Sequence, residues 1–347
     1  MKKTLLALAT STALATLSTG ALAQSSVTLF GIVDAAVGQV KNGSAGSVKR
    51  VASGSASTSR WGLRGVEDLG GGLKAGFHLE AGIGLDTGNA DAKFWGRRST
   101  VSLLGGFGEV RLGRDYTPTA YNTFADEFGI VGVGSRGIFS YGGGSNLGST
   151  ATTVLRADNT VGYFLPAMGG VYGHFQVAAG EGVVGNKYIG GRLGYKGGPV
   201  DIGVAYGKTE TGAATPDFKN YNIQFNYMLG AVTLHTLYDV KQWSPRQTKD
   251  LSIGATIPMG AGAVKLGYTR ADRSGGAVGS GFGDADDSTR LGIGYAHYLS
   301  KRTTVYTTYG RVTNKGAARS SVLYSAPAGM LGGENSSGLE LGVRHVF

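Results

Sequence analysis

Five cationic side chains recur at one parity along four neighbouring segments: Arg60 and Arg64, then Lys74, then Arg98, then Arg111. On the same segments Trp61, Leu63, Phe77, Leu79, Val101, Leu103, Val110 and Leu112 hold the opposite parity. Side chains of an extended chain leave alternate faces. A strand reading therefore puts a ladder of cations on one face and an apolar surface on the other. Asp34, Glu80, Glu109 and Asp115 share the cationic face, and Asp126 and Glu127 sit on the longest unpatterned link, 116–153. Opposite charges across a narrow, low-dielectric throat make a transverse field that orients polar solutes and sets ion preference. That chemistry breaks no bond. Little else in the chain suggests reaction. His78, His174, His235, His297 and His345 are scattered, with no pair at metal-ligand spacing. No Ser-His-acid set falls near one rim. Gly132 to Gly137 reads GVGSRG but follows no strand and opens no helix, so a dinucleotide cradle is not expected. Neither an enzyme nor a metal or other cofactor is predicted.

The elements that must carry the ladder are strands. Tyr221, Ile223, Phe225, Tyr227 and Leu229 alternate with Asn220, Asn222, Gln224, Asn226 and Met228. Leu291, Ile293 and Tyr295 alternate with Arg290, Gly292, Gly294 and Ala296. No helix-period pattern of comparable length competes. Sixteen such segments run from 26–38, 60–67, 72–85, 94–104 and 107–115 to 302–313 and 337–347. The links between them alternate short and long. Short ones include EDLGGG, PAMGG, LGA and SKR; long ones include 39–59, 116–153, 242–247 and 314–336. Short turns on one side and longer loops on the other are the pattern of an outer-membrane barrel. Aromatic residues such as Tyr195, Tyr206, Tyr238 and Tyr268 fall near segment ends on the apolar face, as headgroup-level girdles require.

Composition agrees. The N-terminus carries Lys2 and Lys3, a mostly apolar stretch from Leu5 to Leu17, and small residues Ala21 to Ala23. That is a secretory signal peptide over residues 1–23, cut before Gln24. The remaining 24–347 contain no apolar run long enough for a membrane-crossing helix, which needs about 18 residues or more. Cysteine is absent, and charged residues make up 16%, against roughly 25% in a typical soluble domain. The net charge is +10 with Lys2 and Lys3 and +8 without them. The basic residues are spread singly along strands rather than clustered, so nucleic acid is not an expected partner. Acidic Asp284 to Asp287 lacks the spacing and terminal Glu of a calcium loop. It reads as solvated loop, with a weak divalent contact to lipopolysaccharide as the alternative.

Leu339, Leu341, Val343 and Phe347 share one parity at the very end of the chain. No water in hydrocarbon can satisfy an open strand edge, so the sheet must close. The last segment is predicted to pair with the first, SSVTLFGIVDAAVG, and Phe347 to anchor that closure at the membrane boundary. Sixteen strands enclose a lumen too wide for side chains to fill.

The start SSVTLFGIVDAAVG, the stretch SRWGLRGVEDLGGGLKAGFHLE, the run GEVRLGRDYTP and the ending LGVRHVF resemble the Gram-negative general porins, closest to the type of β-proteobacteria. The likeness spans essentially the whole mature chain. It implies a trimer of sixteen-stranded barrels, each with its own water-filled pore narrowed by an inward-folded third long loop. Link 116–153 lies third among the long loops. It carries Phe124, Phe128, Ile130 and Val131, apolar residues suited to packing on a barrel wall. Asp126 to Gly129, DEFG, resembles the family's acidic-Phe-Gly motif, with Asp126 where that motif commonly starts with Pro.

The expected fold is thus all-β, a 16-stranded antiparallel transmembrane β-barrel in the bacterial outer membrane. The expected function is passive diffusion of ions and small hydrophilic solutes. Arg60, Arg64, Lys74, Arg98 and Arg111 form the basic side of the constriction, Asp126 and Glu127 its acidic loop side, and the ladder predicts modest anion preference. Expected partners are a homotrimer, outer-membrane lipid and lipopolysaccharide. Three rivals compete: a substrate-specific outer-membrane channel, a barrel enzyme and an adhesin. In-facing aromatics for a solute staircase are few and not adjacent: Phe30, Phe164, Tyr172, Tyr298 and Tyr306. Arg97 has outward parity, which predicts a place at a subunit interface or near an edge.

Overall fold

A computed structural model describes residues 26–124, 127–128, 131–142 and 144–347. The segment read as a signal peptide and Asp126 lie outside the described residues. Seventeen strands form one closed antiparallel sheet. The first six are β1 (Ser26–Asn42), β2 (Ser47–Ser53), β3 (Arg60–Gly70), β4 (Leu73–Gly82), β5 (Arg98–Gly105) and β6 (Gly108–Tyr116). Six more follow the long third loop: β7 (Arg156–Phe164), β8 (Val171–Ala178), β9 (Tyr188–Gly197), β10 (Val200–Thr209), β11 (Phe218–Leu229) and β12 (Val232–Trp243). The last are β13 (Arg246–Met259), β14 (Gly262–Ser274), β15 (Ser288–Tyr298), β16 (Thr303–Asn314) and β17 (Ser336–Val346).

Seventeen strands occupy sixteen barrel positions, because β2 and β3 share one. Residues 35–41 of β1 pair with β2, and residues 26–32 pair with β3. Link 39–59, expected as a loop, therefore holds the end of β1 and all of β2. Adjacent Lys49 and Arg50 interrupt the alternation there and hide the strand. Link 242–247, expected to be long, is a tight hairpin in which Trp243 faces Arg246.

The ring closes as expected. β1 pairs with β17 from Ile32↔Val346 to Asn42↔Ser336. Gly31 and Phe347 then exchange both backbone bonds, each N–H···O at 3.0 Å. No sheet edge remains, which is the condition for strands to cross hydrocarbon. The turn after β3 shows why EDLGGG is needed: Gly70, Gly71 and Gly72 all have positive φ, a region that side chains disfavour.

The faces are inverted relative to a soluble protein. Val101, Ile253, Leu291 and Leu339 point outward and are about half exposed, while Gln176, Gln224, Arg290 and Glu340 are among the largest fully buried side chains. An apolar exterior around a polar interior suits lipid outside and water within.

The third loop turns into that interior. Helix α1 (Pro118–Thr123) opens with Pro at its first position, where a missing N–H costs nothing; α2 (Gly137–Ser140) follows. Phe128, Val133 and Phe139 are buried against the wall. Val133 and Phe139 join Val40, Ala271, Val312 and Val322 in an apolar cluster inside the barrel.

A side chain at Gly31 would meet the closure directly. An added Cβ would lie 2.7 Å from the Arg60 carbonyl oxygen and 2.8 Å from Phe347 Cε1. Gly31→Val is expected to destabilise the barrel by about 1–3 kcal/mol through overpacking. The check is a lower urea midpoint, read from the heat-sensitive gel mobility of the folded barrel.

Candidate functional site

The cationic ladder stands on the inner wall, but as a lattice of ion pairs rather than bare charge. Glu80 on β4 accepts from Arg97 Nε at 2.6 Å and faces Arg60 Nε at 3.6 Å. Asp115 on β6 lies between Arg98 Nε, at 3.5 Å, and Arg111 Nη1, at 2.6 Å. Glu109 takes two bonds from Arg111, each at 2.8 Å. The pairing register explains the grouping, since Arg98 lies opposite Glu80 and Ser102 opposite Arg111.

Rings hold the guanidinium planes. Arg111 lies 3.8 Å over the Phe164 ring, which also stacks on His174 at 4.4 Å between centroids. Arg192 on β9 covers Tyr172 at 4.4 Å, and Arg156 covers Tyr116 at 4.2 Å. Cation–π contact of this kind contributes about 0.5–2 kcal/mol and fixes orientation.

Of the predicted basic residues, Arg60, Arg98 and Arg111 come together here. Arg64 stands further along β3, 5.1 Å over the Phe30 ring. Lys74 does not join them. It pairs across to Asp68 beside the glycine turn, exposed at the short-turn rim. Glu127 does not face the ladder. Its carboxylate meets Arg290 Nη2 of β15 at 3.3 Å, with both side chains almost wholly buried. Among the described residues, the acids that neutralise the ladder come from the wall itself.

Arg97 is a correction. Outward parity placed it at an interface or edge, yet it is buried and donates to Glu80 and, at 3.0 Å, to the Tyr116 hydroxyl. It precedes β5, which begins at Arg98, so strict alternation does not govern it. Sequence reading also passed over Arg156, Arg192 and Arg344. For Arg192 and Arg344 the signal was present: their neighbours Leu193 and Val343 point outward, so both share the lumen parity.

The third loop completes the site. Asn122 of α1 donates to Gly203 O at 3.0 Å and to Asn222 Oδ1 at 2.9 Å, while Asn222 donates to Thr119 O at 3.1 Å. Arg192 Nε donates to Asn122 Oδ1 at 2.5 Å. Tyr121 adds its ring to those of Tyr116, Phe124, Phe164 and His174. In-facing aromatics are therefore adjacent after all, because the loop supplies what the strands lack. Burial against this cluster and the nearby Asp115 carboxylate push the Tyr121 hydroxyl up to about 12, so it remains a neutral hydroxyl at ordinary pH. Among the described residues no group of three or more His, Asp or Glu side chains could hold a metal ion.

Asp115 holds this wall together. Asp115→Asn is expected to cost about 1–3 kcal/mol, since Arg98 loses its ion pair and Arg111 one of two. The check is the midpoint of denaturant unfolding, with strand content confirmed by circular dichroism.

A family model described as Gram-negative porin matches residues 9–317. The outer membrane porin protein 32 of Delftia acidovorans is 38% identical over the full length of both chains. An outer membrane porin protein of Bordetella pertussis is 36% identical over 49% of this chain and 46% of its own. Among solved structures, an anion-selective porin from Comamonas acidovorans superposes with a TM-score of 0.80 at 36% identity, covering 93% of this chain and 100% of the other. OmpT of Vibrio cholerae in its trimer form shares the fold, with a TM-score of 0.65 at 15% identity over 93% and 99% of the two chains. With its closed barrel, polar lumen and inward loop, the chain belongs to the Gram-negative porins, the diffusion channels of the bacterial outer membrane.

Proposed function

We propose that this porin passes small anions in preference to cations, and that the inner-wall arginines carry the preference. The observation behind it is a surplus of positive charge at the loop-narrowed wall. Arg60 and Arg97 share one carboxylate, Glu80. Arg64, Arg156, Arg192 and Arg344 form no ion pair among the described residues; Arg344, for example, bonds the Ser57 hydroxyl at 3.3 Å. Low-dielectric walls focus such a field on the water between them and raise the local concentration of the opposite charge. In this reading Arg60, Arg64, Arg98 and Arg111 form the basic side. Lys74 acts at the short-turn rim, where its exposed charge draws anions toward that mouth. Asp126 and Glu127 belong to the loop side, where Glu127 secures the loop rather than opposing the ladder. The similarity to an anion-selective porin supports the same sign.

The remaining parts follow the family. The working form is a homotrimer seated in outer-membrane lipid and lipopolysaccharide, residues 1–23 are removed on export, and the chain has no enzymatic role. A substrate-specific channel would need rings left open to solute, whereas Phe164, Tyr172 and Tyr116 lie under arginines. That favours general diffusion.

Reversal potentials in a salt gradient test the sign, and clear cation selectivity would reject it. Removing charge by Arg64→Ala plus Arg192→Ala is expected to lower the anion-to-cation permeability ratio on the order of twofold, and Glu80→Gln to raise it. The preference should fade near 1 M salt, where the screening length falls to about 3 Å. N-terminal sequencing of protein from the outer membrane is expected to start at Gln24, and chemical crosslinking to stop at three subunits.

A further inference from the structure

Five glycines stand side by side across five consecutive strands. Gly254 of β13 pairs with Gly267 of β14, Gly267 with Gly292 of β15, Gly292 with Gly310 of β16, and Gly310 with Gly338 of β17. The row ends at His235 on one side and Val40 on the other. All five share the lumen parity, since Ile253, Leu266, Leu291, Tyr309 and Leu339 point outward. Glycine weakens a strand through lost packing and a larger entropy cost, so five in one transverse line need a reason.

The third loop supplies it. An added Cβ at Gly254 would lie 2.5 Å from Glu127 Cδ, and one at Gly267 closer still to the same carboxylate. At Gly292 it would lie 2.7 Å from the Gly134 carbonyl oxygen and 2.9 Å from Phe128 Cε2. At Gly310 it would run into the Val133 carbonyl oxygen, and at Gly338 it would lie 2.7 Å from Val133 Cγ1. Each glycine thus marks where one of the loop residues Glu127, Phe128, Val133 and Gly134 touches the wall. The row is a shallow transverse groove, cut by omitting side chains, in which the Glu127 carboxylate, the Phe128 and Val133 side chains and the Val133 and Gly134 carbonyls lie directly against the strand backbone.

We propose that this glycine row sets the bore of the channel. It determines how far the constriction loop stands off the wall, and so how much lumen remains beside the arginines. Carbon atoms rest about 3.5–4 Å apart, so one methyl group in the groove must lift the loop by about 1 Å into the open passage. These positions touch no solute; they act through the loop, as positioning residues for permeation.

Single-channel conductance of Gly310→Ala and Gly338→Ala in planar bilayers tests this, with folding checked by heat-sensitive gel mobility. Both are expected to lower conductance, roughly 1.2- to 1.5-fold for a throat narrowed by an ångström or so, and to slow larger sugars more than smaller ones. Gly338 is the safer probe, because its nearest neighbours are side chains rather than backbone, Val133 Cγ1 at 2.7 Å and then Val322 Cγ2 at 3.3 Å. Adding Val133→Ala to Gly338→Ala removes the closest contact, that with Val133 Cγ1, and should restore conductance, a recovery that general damage to the barrel would not give. Gly76→Ala serves as control: it lies on the lumen face away from the loop, with its nearest neighbour the Leu104 side chain at 3.3 Å, and should conduct like the parent. Conductance unchanged or raised in folded Gly338→Ala, or no recovery on adding Val133→Ala, would overturn the proposal.

Discussion

Everything in this molecule follows from the rule that a backbone in hydrocarbon must satisfy its own hydrogen bonds. A strand cannot do so alone, nor can an open sheet. The solution is circular: the first strand bonds the last, and the terminal Phe347 trades both of its backbone bonds with Gly31. A chain end would normally fray. Here it is the seam, and loosening it exposes two strand edges at once. Gly31 fits this role because the Phe347 ring and the Arg60 carbonyl leave no room for a side chain.

Closure on this scale leaves an interior that strand side chains cannot fill, and two kinds of material occupy it. One is water, which is why arginines and carboxylates can line the wall. The other is the third loop. Its polar face bonds the wall through Asn122 and Asn222, and its apolar face packs with Val40 and Val312. The loop is thus a small core inside a protein whose larger apolar surface faces outward. Its seating differs by region. On β9 to β11 it is held by the bonds of Asn122; on β13 to β17 it lies over the glycine row, tied by Glu127 to Arg290 and by the Val133 N–H to Glu340.

Much of this was legible in the residues. Period two exposes the strands, and with them the lumen positions of Arg60, Arg98 and Arg111. It fails where local chemistry departs from the period. The Lys49–Arg50 pair hid β2, and Arg97, one residue before β5, escaped its parity. Parity gives the face but not the height along the barrel, so Lys74 looked equivalent to Arg98 although it stands at the rim. Loop contacts were the least legible. Glu127 carries an acid where an acidic loop face was expected, yet nothing in its neighbours signals that it reaches Arg290 on a strand 163 residues later. Adjacent aromatics were missed for the same reason, since Tyr121 reaches Phe164 and His174 only after the loop folds in.

A field that discriminates between ions must stay in place while ions pass. Lysine would be a poor source on such a wall, because its charge sits on a flexible stem and is strongly hydrated. Arginine offers a flat, weakly hydrated group that can be clamped from both sides. Arg111 is held by Glu109 and Asp115 along its edge and by Phe164 against its face. Arg156 and Arg192 have rings beneath them and, among the described residues, no ion-paired carboxylate. The two arrangements divide the work. Acids fix the geometry of some cations at the expense of their net charge, whereas rings fix others and leave the charge whole. A wall built only from ion pairs would be rigid and nearly neutral; one built only from free cations would be charged and loose. Combining them keeps the positive potential tied to defined positions, and the loop on its glycine row brings the passing solute within reach of it.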